Sequence, residues 1–343
     1  MVRAYDGARV VVDPDRLLPT PSDATLDAWW ARVASATDGI GLQVSSVQAL
    51  HPALWVRARR FLDELHREVG IPAGRADLDL FVGDYRGSPF GLHKDAQDVF
   101  TFGVRGAKSF DVWPFDAFAD VPGVGAGDRL RGVNLWEVEG ALPESERFEV
   151  RPDDAVLYFP AESWHRATTD GSLVATLALG VVVRDDPWAH AAAALDRLRS
   201  SAGQRPRVWR PGTRPADVTA DTRRALGEPA FARALEDEVL RWSTLGGFAR
   251  APARRDVVLS LHDRVRLVPG ALAWRSGECG IWAAGTLLDW PASVDGQRLV
   301  DGLSDGAWHR TGDLCGRRRP GALEMIGSLV AHHALEVEPA SAV

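Results

Sequence analysis

Lysine is nearly missing from this 343-residue chain: of its 40 basic residues only Lys94 and Lys108 are lysines, and the others are arginines. Cysteine is as scarce. Cys279 and Cys315 give neither a disulfide framework nor zinc-ligand spacing, which excludes a disulfide-stapled secreted scaffold and fits a reducing cytoplasm. Positive charge is not in surplus either; the formal net charge of −7 leaves no global field to draw nucleic acid or anionic lipid. No stretch approaches the ~20 consecutive apolar residues of a membrane span. The N-terminal run MVRAYDGARVVVDPDRL scatters charges where a signal peptide needs an apolar core. Repeats and low-complexity tracts are missing too. These absences describe a cytoplasmic protein with no nucleic-acid and no membrane partner.

What is present is an ordinary globular composition, 45% hydrophobic and 25% charged, in a chain long enough for two or three domains. Residues 22–37 and 47–69 carry helical spacing, the first opened by a Ser22/Asp23 capping pair and the second by Pro52. The pattern then changes. ADLDLFVGDY (76–85), DVFTFGV, AKSFDVWP, RFEVRPDDAVLYFP and GSLVATLALGVVV are short β-type runs parted by turn residues, which predicts an antiparallel sandwich or barrel over about 76–184. Helical spacing returns at 189–201 and at 218–245, broken near Pro229. From 255 a helical start, two strand-like runs and a closing helix over 319–335 predict a small winged-helix-like unit. The boundaries read as 1–187, 188–250 and 251–343.

The chemistry concentrates in GSPFGLHKDAQDVFTFGVRGAKSFDVWP, residues 87–114, which holds both lysines. His93 and Asp95 are two apart, so on a strand both reach the same face and one ion. His66 and Glu68 share that spacing but lie in a helical run, which splays them; they read as a solvated helix face. His165 follows a strand and a Pro-containing turn in DDAVLYFPAESWHRATT and supplies a third ligand. Two neutral imidazoles and one carboxylate leave several positions on the ion open, the donor set of non-haem Fe(II) oxygenases; zinc accepts such ligands too, but nothing else in the sequence points to hydrolysis. Lys108 lies on a nearby strand, where its compact charge on a long stem can reach into the same cavity.

Together these runs resemble the JmjC-type cupin oxygenases that use Fe(II) and 2-oxoglutarate, in particular the bacterial branch similar to ribosomal oxygenases. The shared elements are H-x-D, DVF, G-x-K fifteen positions after the first ligand, and D-x-L-Y-x-P-x-x-x-x-H, over roughly residues 76–184. The resemblance implies an α+β chain: a double-stranded β-helix (jelly-roll, cupin) core with N-terminal helices, a helical middle segment like the family's dimerisation region, and a winged-helix-like C-terminal domain. It implies that His93, Asp95 and His165 hold iron and that Lys108 pairs with the distal carboxylate of 2-oxoglutarate. Tyr85, Thr101, Ser172 and Thr176 are then candidate secondary contacts to that co-substrate. The reaction implied is hydroxylation of a C–H bond by dioxygen with decarboxylation of 2-oxoglutarate to succinate.

Two positions depart from the family. Lys94 stands where a tyrosine or another large neutral residue is usual, and strand alternation turns it away from the cavity toward solvent. Gly103 stands where many relatives carry glutamine, which opens room near the co-substrate or substrate and argues against carrying over the ribosomal substrate. Trp113 and Trp164, which flank the motifs, read as packing. In the C-terminal 251–343, ten arginines face eleven acids and only Arg317–Arg319 cluster, so this part reads as structural or substrate-orienting, and His332 and His333 as ordinary helix residues. Three functions stand side by side: a hydroxylase of an amino-acid side chain in a protein or peptide, a hydroxylase of a free amino acid or small intermediate, and an inactive cupin that binds without catalysis. A homodimer is expected from the helical middle segment.

Overall fold

The computed structural model describes residues 1–7, 9–34, 39–72, 74–84, 90–121, 132–135, 142–182, 187–201, 223, 226–274, 280–290, 296–316 and 321–340. The chain divides into two units, Met1–Val47 with Ala76–Val183, and Gln48–Arg75 with Arg184–Val343.

In the first unit the described elements are β1 (Val2–Asp6), β2 (Arg9–Val10), α1 (Leu26–Val33), β3 (Ile40–Val44), β4 (Ala76–Gly83), β5 (Leu92–Lys94), β6 (Asp98–Arg105), β7 (Lys108–Trp113), a 3₁₀ turn (Phe115–Phe118), β8 (Val133–Leu135), β9 (Glu146–Val150), β10 (Leu157–Phe159), β11 (Trp164–Thr168) and β12 (Val174–Val181). They build two sheets, β10-β6-β12-β4-β3-β1-β2 and β8-β5-β11-β7-β9. From β4 to β7 each successive strand changes sheet, and the return path β9, β10, β11, β12 does the same. That alternation is the double-stranded β-helix, and it turns the inner faces of both sheets onto one cavity.

The long sheet is wider than expected. β1, β2 and β3 extend it beyond β4, with Ala4 opposite Leu42 and Leu42 opposite Val82. A core of Trp29, Val33, Ile40, Leu42 and Val82 packs α1 onto this extension. Helix α1 begins later than its predicted capping pair: Thr25 is the cap and accepts a hydrogen bond from Ala28 N at 3.1 Å. Asp23 instead receives the Arg32 guanidinium, which holds its carboxyl far below the usual range.

The second unit contains α2 (Pro52–Val69), α3 (Pro187–Ser201), α4 (Pro229–Leu245), β13 (Arg264–Leu267), β14 (Leu272–Trp274), β15 (Gly280–Ala283), β16 (Thr286–Asp289), α5 (Gly296–Leu303), β17 (His309–Arg310), α6 (Thr311–Cys315), α7 (Ala322–Ala331) and β18 (Leu335–Glu338). Helix α2, which the sequence groups with the N-terminal helices, falls in this unit. The predicted helical start near 255 is not formed; residues 251–260 have no regular secondary structure. The run RVRLVPGALAWR turns at Pro269-Gly270, so β13 joins β17 and β18 while β14 joins β15 and β16. Helix α7 ends at Ala331, short of the predicted 335. His333 adopts a left-handed φ of 61° and is buried, its Nε2 set 2.8 Å from the Ala253 carbonyl. Arg317–Arg319 lie outside the described residues. Among the described residues no helix is long and apolar enough to cross a membrane.

Candidate metal centre

His93 is the middle residue of the three-residue β5, and His165 is the second residue of β11; the two strands are antiparallel neighbours that pair at His93 with His165. The pairing sets the imidazole centroids 4.1 Å apart. Asp95 follows β5 on the same side as His93. One donor atom from each of the three residues lies within 4.8 Å of the others. Among the described residues this is the one trio of histidine, cysteine or acidic side chains so gathered. Metal–nitrogen and metal–oxygen bonds near 2.1 Å span this spread with small side-chain rotations.

The backbone prepares the histidines for this role. His93 Nδ1 sits 3.2 Å from the Gly91 carbonyl and His165 Nδ1 3.4 Å from the Ser163 carbonyl, each two residues back. Donation from Nδ1–H to these carbonyls would leave both Nε2 lone pairs free for an ion, the tautomer a metal ligand needs. Burial pushes the pKa of His93 down and that of His165 well down, which favours the neutral form of both imidazoles. Asp95 keeps 41% of its side chain open to the cavity, and its Oδ2 lies 3.6 Å from His165 Nε2. Desolvation raises its pKa all the same, because protein rather than bulk water surrounds that opening. A divalent cation would offset this by stabilising the carboxylate. Donor types, tautomers and protonation thus fit a divalent first-row metal.

Lys108 opens β7 and points into the same cavity, of about 220 Å³. Its side chain is buried, with Nζ 3.4 Å from Thr176 Oγ1 and over the rings of Phe81 (5.0 Å) and Phe110 (5.3 Å). Burial lowers its pKa from 10.5 to about 7. Thr101 and Thr176 are buried on the inner faces of β6 and β12 and line the cavity with it.

Other predicted residues fall elsewhere. Ser172 precedes β12, is exposed, and donates to Asp170 Oδ1 at 2.6 Å; it closes a turn and does not line the cavity. Tyr85 lies outside the described residues. Lys94 does turn away from the cavity, but not into solvent: it is only 1% exposed, with Nζ 5.4 Å from the Phe115 ring centroid. The turn Phe115–Phe118 covers the outer face of the short sheet there, so alternation gives the direction of Lys94 but not its surroundings. Gly103 opens no room. A Cβ on it would lie 2.2 Å from the Arg151 carbonyl oxygen, and the backbone at 151–152 fills that space. Trp113 and Trp164 are buried in a core with Leu92 and Phe118, as packing residues.

The sequence reading missed the polar side of β4. Asp77, Asp79 and Phe81 share one parity and line the cavity with Gln43 and Gln97. Asp79 is held by Gln43 Nε2 (2.7 Å) and the Ser46 amide (3.2 Å), and Asp77 by Gln97 Nε2 (3.3 Å). The alternation in ADLDLFVG was legible. That its polar face is the inner one follows from the apolar face packing toward α1 and the β1–β3 extension.

No family model and no curated protein matches the chain. Solved structures match it in fold. An X-ray structure of Escherichia coli YcfD superposes with a TM-score of 0.51 at 17% identity, over 87% of this chain and 79% of that one. A crystal structure of E. coli ribosomal oxygenase YcfD gives 0.51 at 17%, over 87% and 78%. The same E. coli ribosomal oxygenase in complex with cobalt and succinic acid gives 0.50 at 16%, over 87% and 78%. The likeness is one of fold: an α+β chain with a cupin core.

Proposed function

We propose that this chain, which has the fold of a bacterial ribosomal oxygenase, is an Fe(II)- and 2-oxoglutarate-dependent hydroxylase acting on an amino-acid side chain in a protein or peptide. The observation that carries the reading is a buried ammonium group, Lys108, in the same cavity as a His-Asp-His trio whose donor atoms lie within 4.8 Å of one another. A retired site would have no reason to keep four matched polar groups gathered in one cavity. The cobalt and succinic acid bound by the E. coli protein agree in kind with this donor set and cation.

His93, Asp95 and His165 would hold the metal. Lys108 and Thr176 would take the distal carboxylate of 2-oxoglutarate, the ammonium supplying charge and the hydroxyl a second donor. When bound, ferrous iron and 2-oxoglutarate supply the activation of dioxygen, with succinate and CO2 as co-products and one oxygen atom left on the substrate. Phe81, Phe110 and Phe159 wall the cavity and restrict water around these groups. Asp77 and Asp79 add two acidic groups to the lining, which suits a substrate group carrying positive charge. The same reading takes α3 and α4 as the contact of a homodimer and the C-terminal part as a winged-helix-like unit.

The test is anaerobic binding followed by aerobic turnover. Wild-type protein binds Fe(II) and 2-oxoglutarate together. His93→Ala abolishes both iron binding and decarboxylation, whereas Lys108→Ala raises the 2-oxoglutarate requirement and leaves metal binding nearly intact. Substrate is then sought as a +16 Da product (one oxygen atom) in basic peptides, in lysate and among free amino acids. Peptide products support the reading, a free amino-acid product replaces it with a small-molecule hydroxylase, and no turnover of 2-oxoglutarate overturns it.

A further inference from the structure

The two strands that carry the histidines are joined thinly. β11 matches β7 over Trp164–Thr168 but matches β5 at one position, His165 with His93. β5 is only three residues long, and its two outward residues, Leu92 and Lys94, are both buried on the outer face of the sheet. Trp164, the outward neighbour of His165, is completely buried there as well. Both flanking residues meet Phe115. The Lys94 ammonium lies over its ring at 5.4 Å, and the Trp164 indole Nε1 donates to its carbonyl at 3.0 Å. One residue outside the sheet therefore touches the strand on either side of the metal site, at the residues adjacent to the two histidines. Phe118 packs edge-on against Trp164 at 5.3 Å and holds the turn in place.

We propose that the turn Phe115–Phe118 braces the metal-bearing strands from behind, with Phe115, Lys94 and Trp164 as positioning residues that set the separation of His93 and His165 and hence metal affinity. The inference rests on the metal reading above. Supports outside the ligand shell commonly change metal affinity by about 10- to 100-fold when removed. A brace built from a cation and a ring also makes a prediction whose sign simple electrostatics reverses. A positive charge behind a divalent site repels the ion, so by charge alone Lys94→Met tightens binding. Loss of the brace weakens it.

The experiment is anaerobic titration of the full-length protein with Co(II), followed by the ligand-field absorption of the bound ion, for wild type, Phe115→Leu, Lys94→Met, Lys94→Arg and the Phe115→Leu/Lys94→Met double variant. Phe115 is remote in sequence from every ligand, so its substitution tests the contact and not the local chain. Expected are about tenfold weaker Co(II) binding and an altered absorption envelope in Phe115→Leu and Lys94→Met, partial recovery in Lys94→Arg, and a double variant little weaker than either single one because each already breaks the Lys94–Phe115 contact. Trp29→Phe, in the core behind the other sheet, serves as the control: it lowers thermal stability without changing Co(II) affinity. Wild-type affinity and spectrum in Phe115→Leu, or tighter binding in Lys94→Met, overturn the brace while the metal reading stands. If Lys94→Met fails to fold, Phe115→Leu alone decides. Failure of the wild type itself to bind Co(II) overturns the metal reading instead.

Discussion

Raising the pH of the cobalt-loaded protein from 6 to 9 should weaken 2-oxoglutarate binding through Lys108 alone. Burial brings this lysine from 10.5 to about 7, a cost to the charged form of about 5 kcal/mol at ~1.4 kcal/mol per pH unit. Only the ammonium form pairs with a carboxylate. Below pH 7 the free protein already holds that proton, so affinity is level there. Above pH 7 binding must first draw a proton from solvent, and affinity falls about tenfold per pH unit, or about a hundredfold by pH 9. Calorimetry in two buffers of different ionisation enthalpy reads both quantities, the affinity and the uptake of nearly one proton per 2-oxoglutarate at pH 8.5. Lys108→Met should bind weakly at every pH, without the slope. Level affinity from pH 6 to 9 with no proton uptake would refute the reasoning, because it would mean that Lys108 does not meet the ligand or is not desolvated. Without co-substrate, the same burial makes this lysine's contribution to stability rise with pH between about 7 and 10.5. Over that window the unfolded chain holds the proton and the folded one does not.

Two further outcomes concern stability. Gly103→Ala places a methyl group 2.2 Å from a backbone oxygen that cannot swing aside, so urea denaturation should show a loss of about 2–3 kcal/mol. In the second unit the buried Arg59 lies against Gly246 and Gly270 and donates to the Pro269 carbonyl at 3.0 Å; Arg59→Ala should cost about 3 kcal/mol by the same assay, through lost packing and an unpaired carbonyl.

Some of this molecule is written in short-range pattern. The i, i+2 spacing of His93 and Asp95 on a strand, the Pro-turn before His165 and the parity of Val99 with Thr101 needed only the alternation of a β-strand, which is a local property of the backbone. The polar and apolar faces of β4 were legible too, but which face is inner was not. That depended on β1, β2 and β3 widening the sheet and on α1 covering its other side, pairings between residues some forty positions apart.

The same division explains the two departures from the family pattern. For Lys94 the sequence determined the direction of the side chain; that it ends beneath Phe115 and not in water was decided by a turn more than twenty residues away. For Gly103 the missing side chain was evident, while the reason for it, a backbone at 151–152 that leaves no space for a Cβ, exists only once β6 and the chain after β9 lie together. Composition and spacing thus determined the chemical inventory: three candidate ligands, one ammonium group and strands to carry them. Depth of burial, the lowered pKa of Lys108 and the filling of space were decided by tertiary structure, because desolvation and close packing depend on what the distant chain brings alongside.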